Sequence, residues 1–182
     1  MKIKKGFTLV ELMIVMVMTA IMIAVTIVSL SGSRDRKAVE GEARKFAAVV
    51  REAQNYALTG KAINATDPTC GVGIKAIVSG ATTFRLKYMH RTSGAVSCSA
   101  GFTIPADTDN FSSIRSLLNG VQFASDTASA IYFSVPRGEL IDGNGAAITT
   151  TQLILLSKGS SMYSVCVYPT GRVEDVSGAS CP

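Results

Sequence analysis

Residues 7–30 form an almost unbroken apolar run, with 19 of 24 positions apolar and Glu11 the single charge. At about 1.5 Å per residue, a helix of that length spans ~36 Å, enough for a hydrocarbon core of ~30 Å. A transmembrane helix is therefore expected over 7–30. Ser31-Gly32-Ser33 interrupts the helical signal, and apolar positions then return at Val39, Ala43, Phe46, Val50, Ala53 and Ala57, spaced by 4, 3, 4, 3 and 4. That stripe is one helical face wide, and Arg36, Lys37, Glu40, Glu42, Arg44, Lys45, Arg51 and Glu52 fill most of the remainder. An amphipathic continuation of the helix over 31–60 follows, ending near Thr59-Gly60 with the glycine as its cap. Its stripe needs a partner, and the rest of the chain is the only one.

From Cys70 onward the apolar period changes to two: Val72, Ile74 and Ala76; Phe84, Leu86 and Tyr88; Ile131, Phe133 and Val135; Val165 and Val167. Leu153 to Leu156 adds a short apolar run. Asp142-Gly143-Asn144-Gly145 and Tyr168-Pro169-Thr170-Gly171 punctuate these segments, the second suited to a type I turn with Pro at its second position. Six or seven short strands in an antiparallel sheet over 61–182, one face against the helical stripe, make an α+β domain. Residues 105–120 lack alternation and read as a long loop with a short helical turn around Ser113 to Leu118.

Composition sharpens the picture in one respect. The chain of 182 residues carries 18 Lys plus Arg against 13 Asp plus Glu, with 47% apolar and 17% charged residues. Intrinsic disorder is excluded, because it goes with low hydrophobicity and high charge. The apolar excess sits in 7–30, since residues 31–182 hold 65 apolar residues in 152, an ordinary value. The basic excess sits largely in the leader: without Lys2, Lys4 and Lys5 the chain has 15 basic against 13 acidic residues.

The leader, residues 1–6, admits three readings. A secretory signal has an apolar core of roughly 7–15 residues, shorter than this one. An uncleaved anchor leaves Glu11 inside the membrane at a cost on the order of 1–3 kcal/mol. A cut between Gly6 and Phe7 explains both oddities, because the new amine of Phe7 then lies at i to Glu11 at i+4. The two neutralise each other within one chain or between neighbouring helices, and pairing between chains fixes register, since offsets that leave a buried charge unpaired are penalised.

The stretch Lys5-Gly6-Phe7-Thr8-Leu9-Val10-Glu11-Leu12-Met13 resembles the cleavage and methylation motif of the type IV pilin and type II secretion pseudopilin superfamily. The resemblance implies that Gly6 precedes the scissile bond, that Phe7 becomes the N-methylated first residue and that Glu11 is the assembly glutamate. It also implies a pilin-like fold, with the long helix packed on an antiparallel sheet. Ile131 to Gly138 and Val165 to Val173 are similar to the two C-terminal signatures of the GspH and FimT family of minor pilins and pseudopilins. Some of these proteins bind DNA through Gly-Arg-x-Arg. Here the stretch is Gly171-Arg172-Val173-Glu174, in which Glu replaces the second Arg and Asp175 adds another charge that repels phosphate. Arg172 alone reads as a surface or turn residue, so nucleic acid is poorly supported as a partner.

Cys70, Cys98, Cys166 and Cys181 all follow the apolar run, with no C-x-x-C pair. An even count on one side of a membrane suggests disulfides in an oxidising compartment. Of three connectivities, Cys70 with Cys98 and Cys166 with Cys181 is favoured because local loops close most easily. Basic residues flank both ends of the run, so charge does not orient it.

Nothing in the sequence points to catalysis, a cofactor or a metal. His90 has no evident catalytic partner, Asp107-Thr108-Asp109 and Asp142-Gly143-Asn144 do not continue as calcium loops, and Arg85, Lys87 and Arg91 read as a solvated sheet face. The expected function is a minor pilin or pseudopilin, inserted in the cytoplasmic membrane with its C-terminal domain outside the cytoplasm and then incorporated in a fibre. Other pilin subunits, a prepilin peptidase and methyltransferase, and membrane lipid are its expected partners. The alternative is a secreted or membrane-anchored binding module, an adhesin or DNA-uptake receptor, without fibre assembly.

Overall fold

The computed structural model describes residues 8–60, 68–75, 78–91, 98, 102–103, 112–124 and 130–182. A single helix, α1, runs from Leu9 to Leu58. It does not break at Ser31-Gly32-Ser33, where the sequence pattern is interrupted. The helix ends as expected, with Thr59 as its C-cap and Gly60 beyond it at φ 60°, a left-handed conformation that glycine adopts without penalty. Every residue of the apolar stripe from Val39 to Ala57 is buried.

Ten strands follow among the described residues: β1 (Thr69–Lys75), β2 (Thr83–Arg91), β3 (Phe102–Thr103), β4 (Ser112–Ser116), β5 (Gln122–Phe123), β6 (Ala130–Ser134), β7 (Leu140–Ile141), β8 (Gln152–Lys158), β9 (Ser161–Val167) and β10 (Val173–Ser177). They make an α+β pilin-like layout, but in two antiparallel sheets where the apolar alternation suggested one. The first has the order β3-β2-β1-β6-β7, with β4 also paired to β2; the second has the order β10-β9-β8-β5. Strand β5 links them: Phe123 donates its N–H to Ala81 O at 3.0 Å and accepts from Gly80 N at 2.8 Å, while pairing with β8 on its other side.

Helix α1 lies against both sheets. Val72 and Ile74 of β1 pair with Tyr88 and Leu86 of β2 and with Phe133 and Ile131 of β6. With the helical stripe these residues belong to the main core. Phe46 of α1 is the point where the three layers meet. Its ring lies 5.0 Å from Phe84 of the first sheet and 5.4 Å from Phe123 of the second, both edge-to-face, an arrangement that adds to plain area burial.

The expected loop and helical turn within 105–120 are corrected in part: residues 112–116 form β4, whose backbone pairs with β2 from Thr83↔Ser116 to Lys87↔Ser112. Only one apolar residue, Ile114, lies in Ser-Ser-Ile-Arg-Ser, so alternation had no signal to give, and backbone pairing at a sheet edge decides the conformation instead. After β4, Leu117 turns into the core, and the backbone N–H of Leu118 donates to Glu42 Oε2 at 3.2 Å. Glu42 is itself buried and accepts from Lys45 Nζ at 2.7 Å.

The reading of Arg85, Lys87 and Arg91 as a solvated face is also corrected. Lys87 is fully buried and the other two are half-buried. Met89, Tyr132 and Ile141 form a second small cluster. Gly73 makes room for it, since a Cβ there would collide with the Tyr132 ring and the β6 backbone.

Candidate processing and assembly site

Gly6 and Phe7, expected to flank the processed bond, lie outside the described residues. The site is described from Thr8 on. Thr8 is the N-cap of α1, with extended backbone at φ −79° and ψ 152°. Its Oγ1 accepts from Glu11 N at 3.3 Å, while Glu11 Oε2 accepts from Thr8 N at 2.9 Å and from Thr8 Oγ1 at 3.0 Å. This is a complete capping box, in which two otherwise orphaned N–H groups at the helix start are satisfied reciprocally. The carboxylate also sits at the positive end of the helix dipole. Thr8 was absent from the expected site residues, although Thr-x-x-Glu ahead of an apolar run is a signal for this box.

Beyond the cap, the first half of α1 is exposed from Leu9 to Val25. Its large apolar side chains from Leu9 to Val25 are 51–75% exposed, the extremes being Ile14 and Leu9. Single exposed apolar residues are ordinary on a protein surface, but a continuous sleeve around four turns of helix is not. The other half of the same helix, from Val39 on, is the spine of the core. Among the described residues no helix is long and apolar enough to cross a membrane, so the expected transmembrane span is not supported by the structure itself.

This arrangement joins a capped acidic helix start, an uncovered apolar sleeve and a buried amphipathic half on one continuous helix. The chain matches the prokaryotic N-terminal methylation motif over residues 1–30. That motif marks a type IV pilin-like protein. No curated protein and no solved structure matches the chain.

The remaining expected site residues lie elsewhere in this pilin-like fold. Cys70 is joined to Cys98, with Cα atoms 5.3 Å apart, and Cys166 to Cys181, at 5.8 Å. Both pairs close local loops, as the sequence spacing favoured.

Arg172 lies in the turn between β9 and β10. The turn closes through Gly171 N donating to Tyr168 O at 2.8 Å, with Gly171 at φ 84°. A Cβ on Gly171 would collide with Gln54 of α1, and one on Gly138 would come within 2.7 Å of Leu58 Cδ2. Both turns therefore dock on the last turns of α1 through glycines. From Glu11 to Gln54 the helix contour is roughly 65 Å, so Glu11 and Arg172 share no site.

The Arg172 guanidinium is engaged on two sides. Its Nη2 lies 2.6 Å from Glu174 Oε1 and its Cζ stands 4.6 Å from the centre of the Tyr168 ring, whose hydroxyl donates to Glu174 Oε2 at 3.0 Å. The bond to Arg172, then that to Tyr168, holds the Glu174 carboxyl below its ordinary range. Glu174 thus neutralises the one basic residue left from the DNA-binding pattern.

Asp142 is spent on its own turn as well. Its Oδ1 accepts from Asn144 N and Ala146 N, both at 2.8 Å, and these bonds lower its carboxyl below the usual range. His90 lies within β2, half-buried, with Nδ1 3.4 Å from Arg91 O.

Proposed function

We propose that this protein is a minor pilin or pseudopilin, a non-enzymatic subunit of a type IV pilus or a type II secretion pseudopilus. A prepilin peptidase cuts between Gly6 and Phe7 and Phe7 is N-methylated. Residues 7–30 anchor the precursor in the cytoplasmic membrane, with the domain outside the cytoplasm, and the same helix then packs among other subunits in the fibre. The observation that carries this reading is the contrast along α1, an uncovered apolar sleeve on one half and a fully used core face on the other. An apolar surface of that extent needs lipid or other helices to cover it.

Glu11 sets the register in this reading. Its carboxylate already points back to the helix start through the capping box. The amine that processing would free on Phe7 belongs to the residue next to Thr8, so a positive charge would arise beside that carboxylate. An amine from a neighbouring subunit meets the same group when helices stack with a small axial offset, and other offsets leave a charge buried without a partner. The two glycine turns docked on α1, in the segments that resemble the GspH and FimT signatures, favour a minor subunit of that kind. The engagement of Arg172 by Glu174 and Tyr168 speaks against a DNA receptor.

Intact mass of the chain purified from membranes tests the proposal. A mature species beginning at methylated Phe7 is expected, whereas one beginning near Gly32 would refute the fibre reading in favour of a secreted binding module. Glu11→Ala is expected to insert and be processed yet fail to enter fibres; normal incorporation, scored in sheared fibre fractions, would remove the register role.

A further inference from the structure

The β8–β9 hairpin packs against the start of the domain half of α1. Lys158, at the end of β8, pairs with Asp35 through Nζ to Oδ1 at 2.9 Å, and a Cβ on Gly159 of the hairpin turn would lie 3.6 Å from the same carboxylate. Asp35 is the one acidic residue between Glu11 and Glu40, and that bond faces it toward the domain. Arg34, Arg36 and Lys37 are exposed and point around the other sides of the helix, since successive residues are about 100° apart. None of the three makes an ion pair among the described residues. Beside Arg36 is a cavity of about 270 Å3, lined by Arg36, Ser161, Met162, Tyr163, Ser177 and Gly178. Met162 on its rim is 46% exposed, an apolar side chain at the tip of a polar hairpin.

The position of this collar along the helix identifies its partner. From Leu30, the last residue of the apolar run, to Asp35 the axial rise is ~7.5 Å. The headgroup layer on each side of a bilayer is roughly 5–7 Å thick. With Leu30 at the edge of the hydrocarbon, the backbone of Arg34 lies ~6 Å along the axis, within the headgroup layer, while Arg36 and Lys37, at ~9 and ~10.5 Å, stand just outside it beside the hairpin, from where their long side chains reach back to the phosphates. We propose that this collar and the Arg36 cavity form a docking surface for anionic phospholipid, with a headgroup phosphate on Arg36 and the Met162 side chain in the interface. The proposal rests on the anchor reading of residues 7–30.

Charge complementarity supports it. A guanidinium and neighbouring hydroxyls suit an ionised phosphate ester, and each basic side chain at an anionic surface contributes about a fivefold preference. Such a surface would hold the domain at a fixed height and rotation while the subunit waits in the membrane, and would have to be released when the helix leaves it for the fibre.

Hydrogen exchange on the full chain in nanodiscs tests this, comparing phosphatidylcholine alone with discs containing about a third phosphatidylglycerol. Amides of residues 159–163 and 178 are expected to exchange about fivefold more slowly in the anionic discs. The difference should vanish in Arg36→Glu, persist in Arg36→Lys, and collapse near 1 M salt, where the screening length falls to about 3 Å. Mass measurement of both disulfides confirms that each variant is folded. Equal exchange in the two kinds of disc, with the chain co-purifying with them, overturns the docking surface and leaves the anchor reading standing. Failure to enter either disc overturns both. Equal protection by inorganic phosphate in detergent overturns the lipid as the source.

Discussion

Arg172 illustrates how one side chain is committed by its nearest neighbours. Its place after Gly171 matches the first arginine of the Gly-Arg-x-Arg pattern, yet the sequence already reads it as a surface or turn residue, and Glu174 two residues on and Tyr168 four residues back take up its charge and its flat face. Because Glu174 titrates below its unfolded range of about 4.3, its bonds stabilise the folded state above that value, and the contribution is lost as pH falls through the lower folded value. Glu174→Gln removes this contribution. Its melting temperature should therefore lie below that of the natural chain at pH 7 by no more than a few degrees, as expected of an exposed pair. The two curves should converge as pH falls through the lowered folded value, where the natural carboxyl is protonated as well. Thermal unfolding followed by circular dichroism across pH 2.5 to 7.5 checks this, and a gap that persists unchanged at low pH would assign the effect to packing.

Among the elements, α1 holds the two sheets together, and Phe46 is its central contact. Truncating it to Ala removes ring contacts to Phe84 and Phe123 at once and leaves a cavity between three layers. A cost of about 3–5 kcal/mol is expected, near the upper end for core truncations because neither sheet can move in without displacing the other. Urea unfolding reads it, and a loss below about 1 kcal/mol would show that the layers close over the gap.

The role of α1 was legible in the sequence because six stripe positions recur at helical spacing, and each of them is buried. The division into two sheets was not legible, since it depends on β5, two residues long, and on backbone bonds to Gly80 and Ala81 that no side-chain period records. Strand β4 was missed for the same reason. Lys87 misled because alternation of charge normally marks a wet face, whereas here small residues on β1 admit Tyr132 and close that face. The capping box at Thr8 and Glu11 is legible as Thr-x-x-Glu ahead of an apolar run, beside the register role that the resemblance implies for Glu11.

At the scale of the whole molecule, the two disulfides tie later segments of the chain to two strands that pack on α1. Cys166–Cys181 fixes the C-terminal segment to β9 across a separation of 15 residues, and Cys70–Cys98 closes a separation of 28 at the start of β1. The loss of loop entropy in the unfolded chain corresponds to about 3 kcal/mol for the shorter loop and about 3.6 kcal/mol for the longer. Together these approach the whole stability of an ordinary domain, about 5–15 kcal/mol. The paired variants Cys70→Ala/Cys98→Ala and Cys166→Ala/Cys181→Ala should each lower the free energy of unfolding of the full chain in detergent, the first by about 0.5 kcal/mol more than the second. Denaturant titration of the two variants, with and without reductant, measures both losses. The reductant should bring the natural chain down by more than either variant loses alone and should abolish the difference between the two variants, since it also breaks the bond that each retains. A larger loss for the shorter loop would mean that the burial of Cys166 inside β9 outweighs chain entropy. Large losses in both would also bear on topology: a domain that relies on two disulfides for so much of its stability has to reach an oxidising compartment to persist, in line with the proposed placement outside the cytoplasm.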